Sequence, residues 1–561
     1  MKARSWLCAC ATLSTVTLAG CGGGDGGASS LTAPAAPAPA PAPSPSPAPA
    51  PSPVTLPPLV ADTPVRISAA TPFSTSCTGT TPTDAVYLNA EVEAYVAVNP
   101  RDPNNWVATW QQDRWSGGSS NGLLTATTTD GGVTWTRTAV PFSRCAGGNA
   151  TNGGDYERST DPWVSFAPDG TVYQMALSVS GAAFNAGAVN AMLVSRSTDG
   201  GRTWGPVSTL IRDGAQHFND KNTITADATD ARYVYAVWDR IAADGSGPTQ
   251  FARSTDGGTT WEAARAIHDP GPGSQTIGNV IAVLPNGTLV NLFTRLDAGP
   301  NNTAVASLHA LQSVDKGGSW TGPFKVADLL AIGARDPDTG TLIRDGAALG
   351  QIAVAPDGHL WVVWQDARFS SGARDGIALS RSTDGGRTWS APLQVNSLPS
   401  VTAFTPNVHV LANGTVGVIY HDLRSNTGDT ANLPTDLILA RSANGTTWTE
   451  HRVSPTFDLA SAPFARGLFL GDYQGLASAD NVFVPVHVRT TGEPANRTDV
   501  YAVAARSLPP LSAVTGTARA LRAAGAVAPD AEFRQRVHEN IVRTMERRVA
   551  GWSARFAPSP R

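Results

Sequence analysis

The sequence predicts an all-β chain of repeated four-stranded antiparallel blades, and three observations carry that reading. A ten-residue stretch, SRSTDGGRTW, occupies residues 195–204 and returns unchanged at 380–389. Between copies, apolar and polar residues alternate with the period of two expected of half-buried strands. Turns rich in Gly, Asn and Asp punctuate the same region at regular intervals.

The repeated stretch is one of six copies of a Ser/Thr-x-Asp-x-Gly-x-x-Trp frame. Five are intact, anchored on Asp130, Asp199, Asp256, Asp315 and Asp384, and the sixth, SANGTTW at 442–448, has Asn444 for Asp. Asp bonds the backbone N–H groups of its own turn, Gly accepts positive φ, and Trp covers the turn. The frame is therefore a hairpin clasp, and its acids are structural. Each unit parses as strand, short turn, strand, longer loop, strand, clasp, strand. The second unit reads PWVSFA, PDG, TVYQMALSV, a loop, AMLVSRS, the clasp and WGPVSTLI.

First turns occur seven times, at 101–105, 168–170, 227–232, 285–287, 356–358, 412–414 and 478–481. The last unit has VFVPVHV and DVYAVAARS but no clasp and no fourth strand. Four-stranded blades repeated radially make a β-propeller, and PVRISAA at 64–70 supplies the outer strand that closes the ring. Seven blades is the reading; six is the alternative. Residues 530–552 carry Phe533, Val537, Ile541, Met545 and Val549 at four-residue spacing, which predicts an amphipathic helix capped by Asp530.

The ends read differently. Residues 1–21 carry early positive charge, an apolar run and LAGC ending at Cys21, which resembles a lipoprotein signal with Cys21 lipidated; an ordinary cleaved signal that ends near a Cys is the alternative. Residues 22–60 are an Ala/Pro/Ser-rich tether that cannot bury a core. The propeller is assigned to 61–510, and 511–561 is linker and helix. Export places the protein on the outer membrane or cell surface, with a lipid anchor as its membrane contact. Cys77 and Cys145 remain in the exported part, and a disulfide between them suits an oxidising compartment; two unpaired cysteines are the alternative. A net charge of −4 over 561 residues argues against a nucleic-acid partner. No nucleotide loop or metal-ligand spacing is present, so neither cofactor nor metal is expected.

Topology puts the clasps on one face and the loops after the second strands on the other. The second strands end alike, in WQQDR, VWDR, VWQDAR and IYHDLR, which sets Arg114, Arg240, Arg368 and Arg424 at equivalent positions. These arginines are candidates for gripping an anionic sugar through bidentate guanidinium–carboxylate bonds; the alternative is four local Asp–Arg pairs that lock loops.

Over roughly residues 85–505 the clasps and blade parse resemble the Asp-box, or BNR-repeat, proteins of the sialidase superfamily. That resemblance implies a propeller glycosidase with three arginines on the substrate carboxylate, a Tyr nucleophile activated by a Glu, and an Asp acid/base. Arg114 matches one family arginine. Where the family has Arg-Ile-Pro, this sequence has Glu91-Val92-Glu93-Ala94, and the loop WSGGSSNG lacks the expected Asp. The replacements it offers are Tyr473 as nucleophile or base, Glu93 as its activator and Asp161 as acid/base, with Asp155 and Glu157 as further acids and Asp472 as a ligand contact. The expected activity is exo-sialidase-like hydrolysis of acidic sugar termini on a glycan or glycoconjugate. The alternatives are a uronate-specific lyase using Tyr473, His217 or His421 as base, and a non-catalytic glycan- or protein-binding propeller.

Overall fold

The computed structural model describes residues 56–82, 84–299, 303–508 and 527–548. Contacts divide the chain into Met1–Ser52 and Pro53–Arg561. The signal, Cys21 and most of the tether lie outside the described residues, as does Val549 of the predicted helix. The rest is almost wholly β, with one α-helix.

The strands group into antiparallel meanders in chain order. The first comprises Val86–Val98, Trp106–Trp115, Ser120–Thr128 and Thr136–Ala139. The second runs Arg158–Phe166, Val172–Ser180, Val189–Ser197 and Ser208–Asp213. The third spans His217–Ala226 to Arg265–His268, and the fourth Gln275–Val283 to Thr321–Asp328. The fifth spans Gln351–Val354 to Leu393–Gln394, and the sixth Ala403–Val410 to Thr449–Arg452. The last has Gly475–Ala479, Val482–Glu493 and Asn496–Ala502. Against that third strand lies Val65–Arg66, pairing Val65 with Ala502 and Arg66 with Tyr501, so the N-terminal segment does supply an outer strand.

The tether gives way to structure earlier than expected. Leu59–Ala61 forms a strand on Ala505–Ser507, because Leu59 and Ala61 have an apolar cluster to cover.

Apolar cores join each sheet to the next. Val107 meets Val164 and Val172; Met175, Trp238, Leu292 and Trp364 belong to one larger core. Val363 packs with Val418, Ile419 with Phe483, and Val486 of the last sheet with Trp110 of the first. The succession therefore returns to its start.

The clasps contribute to this packing. At Asp199, Oδ1 accepts from the Arg202 and Thr203 N–H groups at 3.0 and 2.9 Å, and the Gly201 N–H donates to Ser197 Oγ at 2.9 Å. Gly201 has φ +90°, and a Cβ there would lie 2.5 Å from a Val107 methyl of the preceding sheet. Gly258 meets Tyr173, Gly317 meets Phe251 and Gly386 meets Val290 in the same way. The clasps of the second to sixth sheets are thus seated on the sheet before, while Gly132 of the first meets Trp106 of its own sheet. In the sixth, Asn444 Oδ1 still accepts from Thr446 and Thr447. Cys77 and Cys145 form a disulfide.

The helix runs Ala531–Glu546, with the Asp530 carboxylate accepting from the Phe533 N–H. Phe533, Val537, Ile541 and Met545 are buried in the largest core, about 1.5–3 kcal/mol each relative to exposure. Asn540 donates to the Ala331 carbonyl, and the helix is followed by Arg547 and the buried Arg548.

Candidate functional site

One backbone device recurs in the first strand of five sheets. Register slips between Val92 and Tyr95, Thr160 and Trp163, Asp220 and Thr223, Ile277 and Val280, and Phe404 and Asn407. Inside each slip sits a residue of positive φ: Glu93 (55°), Asp161 (53°), Lys221 (52°), Gly278 (68°) and Thr405 (51°). Left-handed backbone costs a non-glycine residue about 1–2 kcal/mol, and bulges re-aim side chains. Three consecutive bulges carry Glu93, Asp161 and Lys221 to one place.

There Lys221 Nζ lies 2.7 Å from Asp472 Oδ2, 3.4 Å from Asp161 Oδ1 and 3.7 Å from Glu93 Oε1. Asp472 also takes a bidentate bond from Arg344, at 3.0 and 2.6 Å. Arg344 is brought in by the parallel pairing of Ile343–Arg344 with Leu468–Phe469. Gly471 (φ +154°) lets this segment close on the bulge, since a Cβ there would stand 2.9 Å from the Glu93 backbone. Arg114 donates to Gln111 Oε1 at 2.7 Å, and the Gln111 amide in turn donates to Glu93. Arg114 and Arg344 both stack on Phe469, 4.8 and 4.3 Å from its centroid.

The three carboxyls divide their charge. Burial pushes Glu93 up to about 8, although Lys221 opposes it, and the charges of Asp161 and Asp472 push it further. Burial also penalises the Asp472 and Asp161 anions, but Arg344 and Lys221 hold Asp472 well below the usual range, and Lys221 lowers Asp161. At neutral pH Glu93 keeps its proton while the two aspartates are charged. Burial and the nearby Arg344 lower Arg114 to about 10.

A cavity of about 810 Å³ opens over this cluster, lined by Arg114, Asp161, Lys221, Arg344 and Asp472. Glu93, 1% exposed, shares their hydrogen bonds without being part of the lining.

Of the residues singled out in the sequence, Arg114, Glu93, Asp161, Asp472 and Tyr473 are brought together. Tyr473 is oriented otherwise than expected of a nucleophile: its hydroxyl donates to the Pro162 carbonyl at 3.1 Å, and burial raises the phenol well above its ordinary value. It stacks edge-on with Trp163 and buttresses the Asp161 bulge.

The other three arginines stand apart, locked by carboxylates. Arg240 bonds Asp213 bidentately at 2.8 Å. Arg368 bonds both oxygens of Asp366 at 2.8 Å, and Arg424 bonds Asp422 and Glu450. For these the local-pair alternative describes the geometry. Asp155 pairs with Arg144 at 2.6 Å, and Glu157 accepts from the Gly181 N–H. His421 is buried against Phe404, and His217 is outside the cavity lining.

Lys221 and Arg344 escaped the sequence reading. Lys221 had a signal, the break in alternation at NDKNT that matches EVEAY and STDPW. Arg344 lies in a stretch without strand periodicity and had none.

No protein-family model matches the chain, and a search of curated proteins finds no match. Among solved structures it is similar to a protein of unknown function from Dyadobacter fermentans, at 16% identity over 80% of this chain and 99% of that one, with a TM-score of 0.44. It is also similar to a Hadza microbial sialidase (16% identity, 72% and 76% covered, TM-score 0.42). A third is a Penicillium chrysogenum α-L-arabinanase complexed with arabinobiose (13% identity, 79% and 98% covered, TM-score 0.41). The chemistry of the site, rather than these likenesses, carries the functional reading.

Proposed function

We propose that the chain is a glycoside hydrolase acting on acidic sugar termini, built on a seven-bladed β-propeller whose ring is closed by the N-terminal strand. The observation that carries this reading is the cavity in which Arg114 and Arg344, stacked on one ring, stand beside three carboxyls that share Lys221. The return of core packing from the last sheet to the first supports the ring.

In this reading Arg114 grips the sugar carboxylate, because it lines the cavity and makes no ion pair among the described residues. Asp161 meets the cavity as an anion and Glu93 behind it holds one proton. One exchangeable proton and one charged carboxylate are what glycosidic cleavage by acid/base chemistry requires. Asp472 and Lys221 fix the positions and charges of both. Export and lipidation at Cys21 belong to the same proposal, and the disulfide supports an oxidising compartment.

The test is sugar release by purified protein from glycans ending in sialic acid, glucuronic acid or galacturonic acid. Release that disappears in Arg114→Ala and Asp161→Asn supports the reading. Binding without release, or an unsaturated product, overturns it in favour of a binding protein or a lyase respectively.

A further inference from the structure

The cavity holds more cations than the Arg114 grip uses. Arg466 and Arg547 line it as well, and Arg466 Nη1 donates to the Arg547 carbonyl at 2.9 Å, fixing the two side by side. Neither guanidinium has an ion-pair partner among the described residues. Asp84, Glu157 and Glu546 also line the cavity, and Asp84 influences Arg466 without forming an ion pair with it. Arg548, next in sequence, is different: it is buried in ion pairs with Asp220 and Asp239. Arg548 anchors the end of the helix, and that anchor holds Arg547 at the cavity.

Backbone and charge describe the setting of this pair, which shares one cavity wall. Arg466 is held at φ +63°, a conformation of a non-glycine residue that persists only where its surroundings impose it. Burial and then repulsion by Arg344 lower both, Arg547 to about 10, against a weaker pull from Asp84 on Arg466 and from Asp472 and Asp345 on Arg547. Arg466 is exposed and Arg547 half-buried, so both can be reached from the cavity, and an anion bound between them would offset the repulsion from Arg344.

We infer that Arg466 and Arg547 form a second anion subsite beside the Arg114 carboxylate grip, so that the sugar accepted carries a second acidic group, a sulfate or phosphate ester. The substrate-class part rests on the hydrolase reading above; the subsite itself does not. The C-terminal helix is then part of the binding site, and the preference for doubly acidic sugars resides in a segment outside the strand repeat.

The test is calorimetric titration of the full chain with free sialic acid and free glucuronic acid, each unmodified and carrying one sulfate or one phosphate ester. The esterified sugar should bind at least about tenfold more tightly than its parent, the scale of a charged hydrogen bond. Arg547→Gln and Arg466→Gln should bring the ester down to the affinity of the parent, while Arg114→Ala weakens both alike. Whichever ester binds more tightly identifies the group. Equal affinity of ester and parent, or equal weakening of both by Arg547→Gln, overturns the subsite. If Arg114→Ala changes nothing while the Arg547-dependent preference persists, the carboxylate grip fails and the subsite stands. If neither sugar binds, titration with inorganic sulfate decides: thermal stabilisation that Arg547→Gln abolishes supports the subsite, and its absence overturns it.

Discussion

Lys221 Nζ lies 2.7 Å from Asp472 Oδ2, joining the first strand of the third sheet to the segment that leads into the last. Through the same nitrogen it meets Asp161 and Glu93, so one cation holds carboxyls from two sheets and from that segment. Replacing it with Met leaves buried carboxyls without their shared counter-charge. Lys221→Met should cost about 3–5 kcal/mol, the range for breaking a buried ion pair, in urea unfolding monitored by fluorescence.

Glu93 makes stability depend on pH in a defined direction. Its carboxyl rises from 4.5 to about 8 on folding, so between those values the folded state binds the extra proton. Stability from this group is complete below about 4.5 and is lost as pH rises through about 8. Burial raises Asp239 to about 8, which adds to the same slope. Asp472 acts oppositely, losing stability as pH falls below the ordinary Asp range. Glu93→Gln should flatten the decline between pH ~5 and ~8, read as Tm against pH; an unchanged slope rejects the assignment.

Arg368 should prove structural. Removing it strands Asp366, which is fully buried, at a cost of about 3–5 kcal/mol. Arg240→Ala, by contrast, should leave acidic-sugar affinity within about twofold of wild type, since it changes no side chain of the cavity. Calorimetric binding beside denaturation separates the two effects, and a tenfold loss of affinity in Arg240→Ala would return that residue to the site.

The clasp glycines should matter more than the clasp acids. Asp199→Ala removes turn hydrogen bonds worth about 1–2 kcal/mol, by analogy with helix caps. Gly201→Ala adds backbone strain and drives a Cβ into Val107, so the loss should reach about 2–3 kcal/mol. Adding Val107→Ala should recover part of it in a double-mutant cycle; strict additivity would mean the two do not touch.

The architecture was legible because it rests on local chemistry. Clasps such as Ser197-Asp199-Gly201 close on their own backbone, and strand alternation reports which face is buried. The outer strand at Val65, on Asn496–Ala502, was readable from the fourth strand missing after residue 507. The site was only partly legible because it is made by convergence. Arg114 and Asp472 drew attention as repeated or clustered polar residues, yet an Arg at a strand end looks the same whether it is paired, like Arg424, or open to a cavity, like Arg114. Arg344 and Arg547 arrive from a short parallel ribbon and from the end of a helix, neither of which carries the repeat.

The five positive-φ positions at the starts of the sheets have a further consequence. Their backbone geometry is nearly constant, whereas their occupants are Glu, Asp, Lys, Gly and Thr. Shape and chemistry are thus separable at these five sockets: one backbone turn presents an acid, a base, a hydroxyl or no side chain at all, and the occupant rather than the turn sets the charge delivered there.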